Sequence, residues 1–357
     1  MRTLSVDSAV PYEVLIGSGL ISSAGPRLKA VGGSSMAVII TNTTVNELYG
    51  LPIKKSLLNE DFETVVLEIP DTEKSKSITI VSNLYDELVR YKIERTTPII
   101  ALGGGVVGDV AGFVAATFLR GLPFVQIPTT LIAQVDSSIG GKTGVNHGGV
   151  KNMVGAFKDP VFVLTDPTVL NTLPQEEVRN GAAEIIKYAA IADRSLFALL
   201  EKRMNDLFDL CSPLERVVER CCMIKAGIVQ QDRKEQGLRM ILNYGHTVGH
   251  SVEAVKNFEI SHGEAVSIGM CAAARIAHKM GIFNLKEVKR QEKLIDQAGL
   301  PTKLPDIDID SLLQTMHHDK KVQNSRIHFV LPKKIGSAVV RNDVPEKILE
   351  ETLEDLK

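Results

Sequence analysis

The chain has 357 residues, 44% hydrophobic and 24% charged, with a formal net charge of −2. That is enough apolar sequence for one large core or two moderate ones. The near-balanced charge gives no whole-chain basis for a nucleic-acid partner or an anionic membrane surface.

No run of eighteen apolar residues occurs, so no membrane-spanning helix is expected. Met1-Arg2-Thr3-Leu4-Ser5-Val6 lacks the apolar stretch of a secretory signal, and the expected location is cytoplasmic. In chain order, residues 4–6 and 12–16 predict an N-terminal hairpin. Short β-rich runs follow at 37–40, 63–67, 98–102, 124–127 and 161–164, bounded by Gly, Pro, Asn or Asp. Helical stretches such as 77–91 lie between some of them. Strand–helix alternation of this kind predicts an α/β N-terminal domain, residues 1–172, with a Rossmann-like, largely parallel sheet. After Leu173-Pro174 the period switches, and residues 173–357 are expected to form a mainly α-helical C-terminal domain. Late in it, 326–331 and 338–340 predict a small hairpin, and a terminal helix is expected from Pro345. A ligand cleft between the two halves would follow the usual preference for domain interfaces. Cys211, Cys221, Cys222 and Cys271 have no CxxC spacing and read as small buried hydrophobes.

Gly103-Gly104-Gly105-Val106-Val107-Gly108-Asp109 follows an apolar strand and opens a helical run, so it satisfies G-x-G-x-x-G in context. Glycines there let backbone N–H groups approach a pyrophosphate at a helix N-terminus. No acidic residue follows about twenty positions on, so a simple Rossmann site is doubtful and a tight turn without ligand stays open. Asn42, the polar loop Asp71-Thr72-Glu73-Lys74-Ser75-Lys76, and Thr129-Thr130 all fall at C-terminal ends of predicted strands, where open α/β sheets place ligands. Gly140-Gly141-Lys142-Thr143 echoes a phosphate loop, but Asp136 stands where that motif requires Gly. The stretch is a Gly-rich segment carrying Asp136, Lys142, Lys151 and Asn152, suited to an anion or to plain solvent.

His246 and His250 are four residues apart and would share one helix face; His262 follows in Ser261-His262-Gly263-Glu264. Glu184 sits with Lys187 in an otherwise apolar helical run. A carboxylate and imidazoles from separate helices suit a catalytic divalent metal with an open position. Both histidines of the pair could bind, or one could bind while the other faces substrate. His147, His278, His317, His318 and His328 read as ordinary core or surface residues. Lys225, Glu235, Arg239 and Asn243 precede the histidines. Arg239, Asn243, His246 and His250 are expected to line one polar stripe, expensive to bury unless it faces a site.

Taken together, the 103–109 loop, the run 127–142, Glu184-Ile185-Ile186-Lys187, Asn243-Tyr244-Gly245-His246-Thr247-Val248-Gly249-His250 and His262-Gly263-Glu264-Ala265-Val266 resemble the 3-dehydroquinate synthase family, in order and through almost the whole chain. The resemblance implies that Glu184, His246 and His262 hold Zn²⁺ or Co²⁺, with His250 left for substrate. It implies NAD against Asn42, the 71–76 loop, Gly105 to Asp109, Thr129-Thr130, Lys142, Lys151 and Val169-Leu170-Asn171-Thr172. The implied substrate is a sugar phosphate, 3-deoxy-D-arabino-heptulosonate 7-phosphate. Asp136, Lys187, Lys225, Arg239 and Asn243 would meet its hydroxyls and carboxylate, with Lys142, Asn152 and His250 near the phosphate. Arg120 would reach a neighbouring subunit's phosphate site in a homodimer, and one of Lys320 and Lys321 would join the set. The implied reaction joins oxidation, phosphate elimination, reduction, ring opening and aldol closure, with NAD regenerated each turnover, in the shikimate pathway. Other sugar phosphate cyclases, a metal-dependent polyol dehydrogenase and a nucleotide-binding regulator are the competing readings. Lys225 and Arg239 speak against the other cyclases, whose substrates lack a carboxylate for them to bind.

Overall fold

The computed structural model describes residues 1–148, 150–208, 214–318, 322–323 and 326–357. They divide into two compact units, Met1–Leu173 with Lys225–Arg233, and Pro174–Ile224 with Lys234–Lys357.

In the first unit the strands are β1 (Arg2–Val6), β2 (Tyr12–Ile16), β3 (Met36–Thr41), β4 (Glu63–Glu68), β5 (Ile99–Gly103), β6 (Phe124–Pro128), β7 (Lys142–His147), β8 (Val150–Phe157) and β9 (Phe162–Thr165). The helices are α1 (Ala24–Val31), α2 (Thr43–Val45), α3 (Leu51–Leu58), α4 (Ile78–Arg90) and α5 (Gly105–Thr117). Seven strands form one sheet in the order β1-β2-β9-β6-β5-β3-β4. Within this sheet the β1–β2 pairing is antiparallel and the other five pairings are parallel. Strands β5 and β6 are buried along their whole length, as inner strands of a sheet covered on both faces must be.

Alternation along each strand sorts the core into two layers. Val38, Ile40, Ile99 and Ala101 pack with Val81, Leu84 and Leu88 of α4 and Val107, Val110 and Val114 of α5. Ala37, Ile39, Ile100 and Leu102 pack with Leu28 of α1 and Ile53 and Leu57 of α3. Helix α4 shows how locally this is written. Ser77 caps it, accepting from Ile80 N at 3.3 Å, and the 81/84/88 spacing presents one apolar stripe, each side chain contributing roughly 1.5–3 kcal/mol on burial. The chain runs from β3 outward to β4, then returns to build β5, β6 and β9 on β3's other side. That reversal leaves a crevice outside the carboxyl ends of β3 and β5, the usual ligand position in a doubly wound sheet.

The polar segment expected as a Gly-rich stretch is more ordered than that. Ala133–Ser137 forms a π-helical turn, and β7 and β8 pair as an antiparallel ribbon outside the main sheet. Thr143, Val145 and Val154 are the strand formers. Gly144 opposes Gly155, where a Cβ on Gly155 would stand 2.4 Å from Thr143 O.

The second unit is helical: α6 (Gln175–Ala192), α7 (Arg194–Phe208), α8 (Leu214–Gln231, whose residues from Lys225 group with the first unit), α9 (His246–Val255), α10 (His262–Lys279), α11 (Leu285–Gln297), α12 (Ile309–His318) and α13 (Glu346–Glu354). Two-residue strands β10 (Val322–Gln323) and β11 (Arg326–Ile327) pair, and β12 (Phe329–Lys334) pairs with β13 (Ser337–Arg341). The expected single stripe through Arg239, Asn243, His246 and His250 is corrected. Leu238–Asn243 is a 3₁₀ helix, and Gly245 at φ 80° turns the backbone before α9 starts at His246. Asn243 and His246 therefore do not share a helix. Cys221, Cys222 and Cys271 are buried, as expected, with no disulfide among the described residues, and Cys211 lies outside the described residues.

Candidate functional site

In the second unit, Glu184 sits in the part of α6 that is buried without interruption from Gly181 to Ile191. Its Oε1 faces His246 Nε2 at 3.6 Å and His262 Nε2 at 3.4 Å, and its Oε2 pairs with the buried Lys187 ammonium one turn on. Oε1 is buried and, among the described residues, has only these two imidazole nitrogens near it as possible partners. Leaving a carboxylate oxygen so placed is costly unless something else satisfies it.

Each imidazole is held by its other nitrogen. His246 Nδ1 lies 3.0 Å from the carbonyl of Tyr244, and His262 Nδ1 lies 3.4 Å from Glu253 Oε1. With a metal bound, these contacts would keep the proton on Nδ1 and leave Nε2 free to ligate on the Glu184 side. Tyr244 is itself fixed, fully buried with its hydroxyl 2.8 Å from Gln291 Oε1, and burial pushes its phenol far above the ordinary range. Burial disfavours the His262 cation, but Glu184 and Glu253 outweigh this and hold its pKa at about 9.

Two local devices bring the histidines together. Ser261 caps α10 in a capping box with Glu264, which sets His262 in its first turn. Helices α9 and α10 approach until a Cβ on Gly269 would lie 1.8 Å from Gly245 O. The donor atoms of Glu184, His246 and His262 all lie within 4.8 Å of one another. Ligands at about 2.0–2.2 Å from a tetrahedral ion stand roughly 3.3–3.6 Å apart, so the 3.4 and 3.6 Å separations fit a divalent metal. A second grouping, His250, Glu253 and His262, meets the same distance criterion. The His250 ring centroid is 5.2 Å from that of His246 and 6.1 Å from that of His262.

In the first unit, Asn42, the 71–76 loop, the 103–109 loop, Thr129-Thr130 and the 169–172 segment follow the carboxyl ends of β3, β4, β5, β6 and β9 respectively. Helix α5 starts at Gly105 without a side-chain cap, presenting first-turn N–H groups to that edge. Thr129 Oγ1 is buried there with no hydrogen-bond partner among the described residues. These features fit a dinucleotide, although the glycines also serve packing: a Cβ on Gly103 would lie 2.6 Å from Val107 Cγ2. Asn42 has a structural duty that the motif reading missed, capping α2 by accepting from Val45 N at 2.8 Å. Tyr49 ties down the last segment through Val169 O at 2.7 Å and Thr172 Oγ1 at 2.5 Å. Lys76 Nζ is 2.6 Å from Asp109 Oδ2. Burial pulls the Lys76 pKa down, yet Asp109 and Glu73 leave it raised; burial also lifts the Asp109 carboxyl against the pull of Lys76.

Also in this unit, Lys225 pairs with Asp136 and donates to its carbonyl at 2.7 Å. Asn152 N donates to Asn146 Oδ1 at 2.8 Å, and Asn146 Nδ2 donates to Glu73 Oε1 at 3.0 Å. Lys142 is exposed and Lys151 half-buried. In the second unit Arg239 is buried and Asn243 donates to Glu235. Arg120, Asn152 and Glu235 have left-handed φ of 69°, 52° and 59°, a conformation that costs a non-glycine residue about 1 kcal/mol or more and clusters at functional positions. Lys320 and Lys321 lie outside the described residues. Sequence reasoning missed Glu253 and Asn146; the 246/250/253 spacing, one helix face, was the available sign of the former.

Among solved structures, 2-epi-5-epi-valiolone synthase from Streptomyces hygroscopicus subsp. jinggangensis 5008, determined with NAD⁺ and Zn²⁺ bound, superposes with a TM-score of 0.90 at 32% identity, covering 100% of this chain and 99% of that one. A 2-deoxy-scyllo-inosose synthase complexed with carbaglucose-6-phosphate, NAD⁺ and Co²⁺ superposes at 0.91 with 25% identity, covering 100% of both chains. The fold is therefore that of the sugar phosphate cyclases. Residues 66–180 match the family model for the 3-dehydroquinate synthase N-terminal region, and residues 181–322 match that for its C-terminal region. A 3-dehydroquinate synthase of Dehalococcoides mccartyi (strain ATCC BAA-2100 / JCM 16839 / KCTC 5957 / BAV1) is 46% identical over 360 residues, 100% of each chain. This chain belongs to the 3-dehydroquinate synthase family.

Proposed function

We propose that the chain converts 3-deoxy-D-arabino-heptulosonate 7-phosphate to 3-dehydroquinate and inorganic phosphate, using NAD and Zn²⁺ or Co²⁺. Full-length identity to relatives of that name supports the reaction, and the cofactors bound by the two cyclases support the cofactor set. The observation that carries the proposal is the buried Glu184 Oε1 facing two imidazole Nε2 atoms whose Nδ1 atoms are already held.

Glu184, His246 and His262 would hold the metal, and the carboxyl-end loops from Asn42 to Thr172 would hold the dinucleotide. When bound, the metal supplies Lewis acidity and the NAD a reversible hydride store. The chain's own residues bind and orient. Lys187 pairs with Glu184 one turn away and holds its carboxylate in the buried position. Arg239 and Lys225 are cations held in place by burial and, for Lys225, by Asp136, which suits a substrate carboxylate. Lys142, Asn152 and His250 would meet the phosphate, and Asn243 with Glu235 the hydroxyls. Action as a homodimer, with Arg120 completing the neighbouring phosphate site, and a cytoplasmic location rest on the family resemblance.

Replacing His246 by Ala tests the ligand assignment. The variant is expected to lose bound metal and turnover while equilibrium binding of NAD⁺ persists. Full turnover by the dialysed variant in chelator would refute it.

A further inference from the structure

We propose that Glu253 is a positioning residue for the metal: its carboxylate accepts the Nδ1 proton of His262 and aims that ring's Nε2 at the point His246 and Glu184 also face. This rests on the reading that Glu184, His246 and His262 are the ligands.

Glu253 is 2% exposed, and its Oε1 stands 3.4 Å from His262 Nδ1. A carboxylate buried so deeply is expensive unless a proton donor or a cation answers it. Its helix position is fixed as well. It lies one turn after His250 and two turns after His246, and its own carbonyl accepts from Phe258 N at 2.8 Å where α9 ends. The two ligand imidazoles are thus held in different ways, His246 by the main-chain carbonyl of Tyr244 and His262 by a side chain. Only the second support is removable by mutation. A carboxylate also makes the ring a more basic ligand than a neutral carbonyl would, and its charge would add to that of Glu184 in favouring a bound cation.

The test is Co²⁺ binding to chelator-stripped protein, read by affinity and by the visible absorption of the bound ion, for wild type, Glu253→Ala and Glu253→Gln. Glu253→Ala is expected to weaken Co²⁺ binding roughly 10–100-fold and alter the absorption band, with NAD⁺ affinity unchanged. Glu253→Gln, whose amide oxygen still accepts from Nδ1, is expected to recover most of the loss and keep the wild-type band. If the Ala variant does not fold, the Gln variant decides alone: weakened affinity with an unchanged band supports the proposal. Wild-type affinity and band in the Ala variant overturn it. So does a Gln variant with an altered band, because Glu253 would then be a ligand in the His250–Glu253–His262 grouping. Failure of wild type to take up Co²⁺ would instead remove the ligand reading on which this one stands.

Discussion

His262 couples metal binding to protons. In the metal-free protein burial works against its cation, but Glu184 and Glu253 keep the ring protonated up to about pH 9, above its ordinary 6.5. A ligating Nε2 must be free of that proton, so metal uptake at pH 7.5 should release it, and apparent affinity should rise with pH up to about 9. Calorimetric titration in two buffers of different ionisation enthalpy checks this; equal heats in both would contradict it. The same raised pKa stabilises the metal-free fold fully below 6.5, and that contribution fades as pH rises through about 9. At this scale the site was partly legible. Glu184 and Lys187 stood out because charge inside an apolar helical run is costly. Glu253 did not, because a glutamate one turn after a histidine looks like any solvated helix face. The left-handed backbones of Arg120, Asn152 and Glu235 leave no trace in residue type, since only asparagine among them favours that region.

At the scale of elements, the parallel sheet and the switch to helical period after Leu173 follow from patterning, since β-branched runs and 3.6-residue stripes need different neighbours. The β7–β8 ribbon is not legible in the sequence because Gly144, Gly155 and polar residues dilute its alternation. The break at Gly245 is hidden in the sequence because the residues on both sides have helical spacing. The α9–α10 crossing depends on the absence of a side chain at 269. Gly269→Ala puts a methyl group against Gly245 O and should cost about 1–3 kcal/mol or more, with weakened metal binding as the helices part. Thermal unfolding together with Co²⁺ titration measures both effects; a variant of wild-type stability and affinity would contradict the packing account. Asp193 illustrates a cap that is independent of the site. It accepts from Ser195 N and Leu196 N at 3.0 Å each and from Arg220 Nε at 2.9 Å, and these bonds outweigh burial and hold its carboxyl below the ordinary 3.8. Asp193→Ala should cost about 1–2 kcal/mol by denaturant titration at pH 7. The difference should shrink as pH falls below 3.8, where wild type loses the charged cap too.

Considered as whole units, a doubly wound sheet with a ligand edge and a helical body with a Glu–His–His cluster supply what a cyclase needs from a single polypeptide. Full-length kinship extends that match to both. The central claim is that the nicotinamide is used and restored within each turnover. Purified protein with divalent metal, the heptulosonate phosphate and a small amount of NAD⁺ should release inorganic phosphate in large excess over NAD⁺, with no lasting rise in reduced-nicotinamide absorbance. NADH accumulating in proportion to substrate consumed, with no phosphate released, would make it a dehydrogenase and contradict the account.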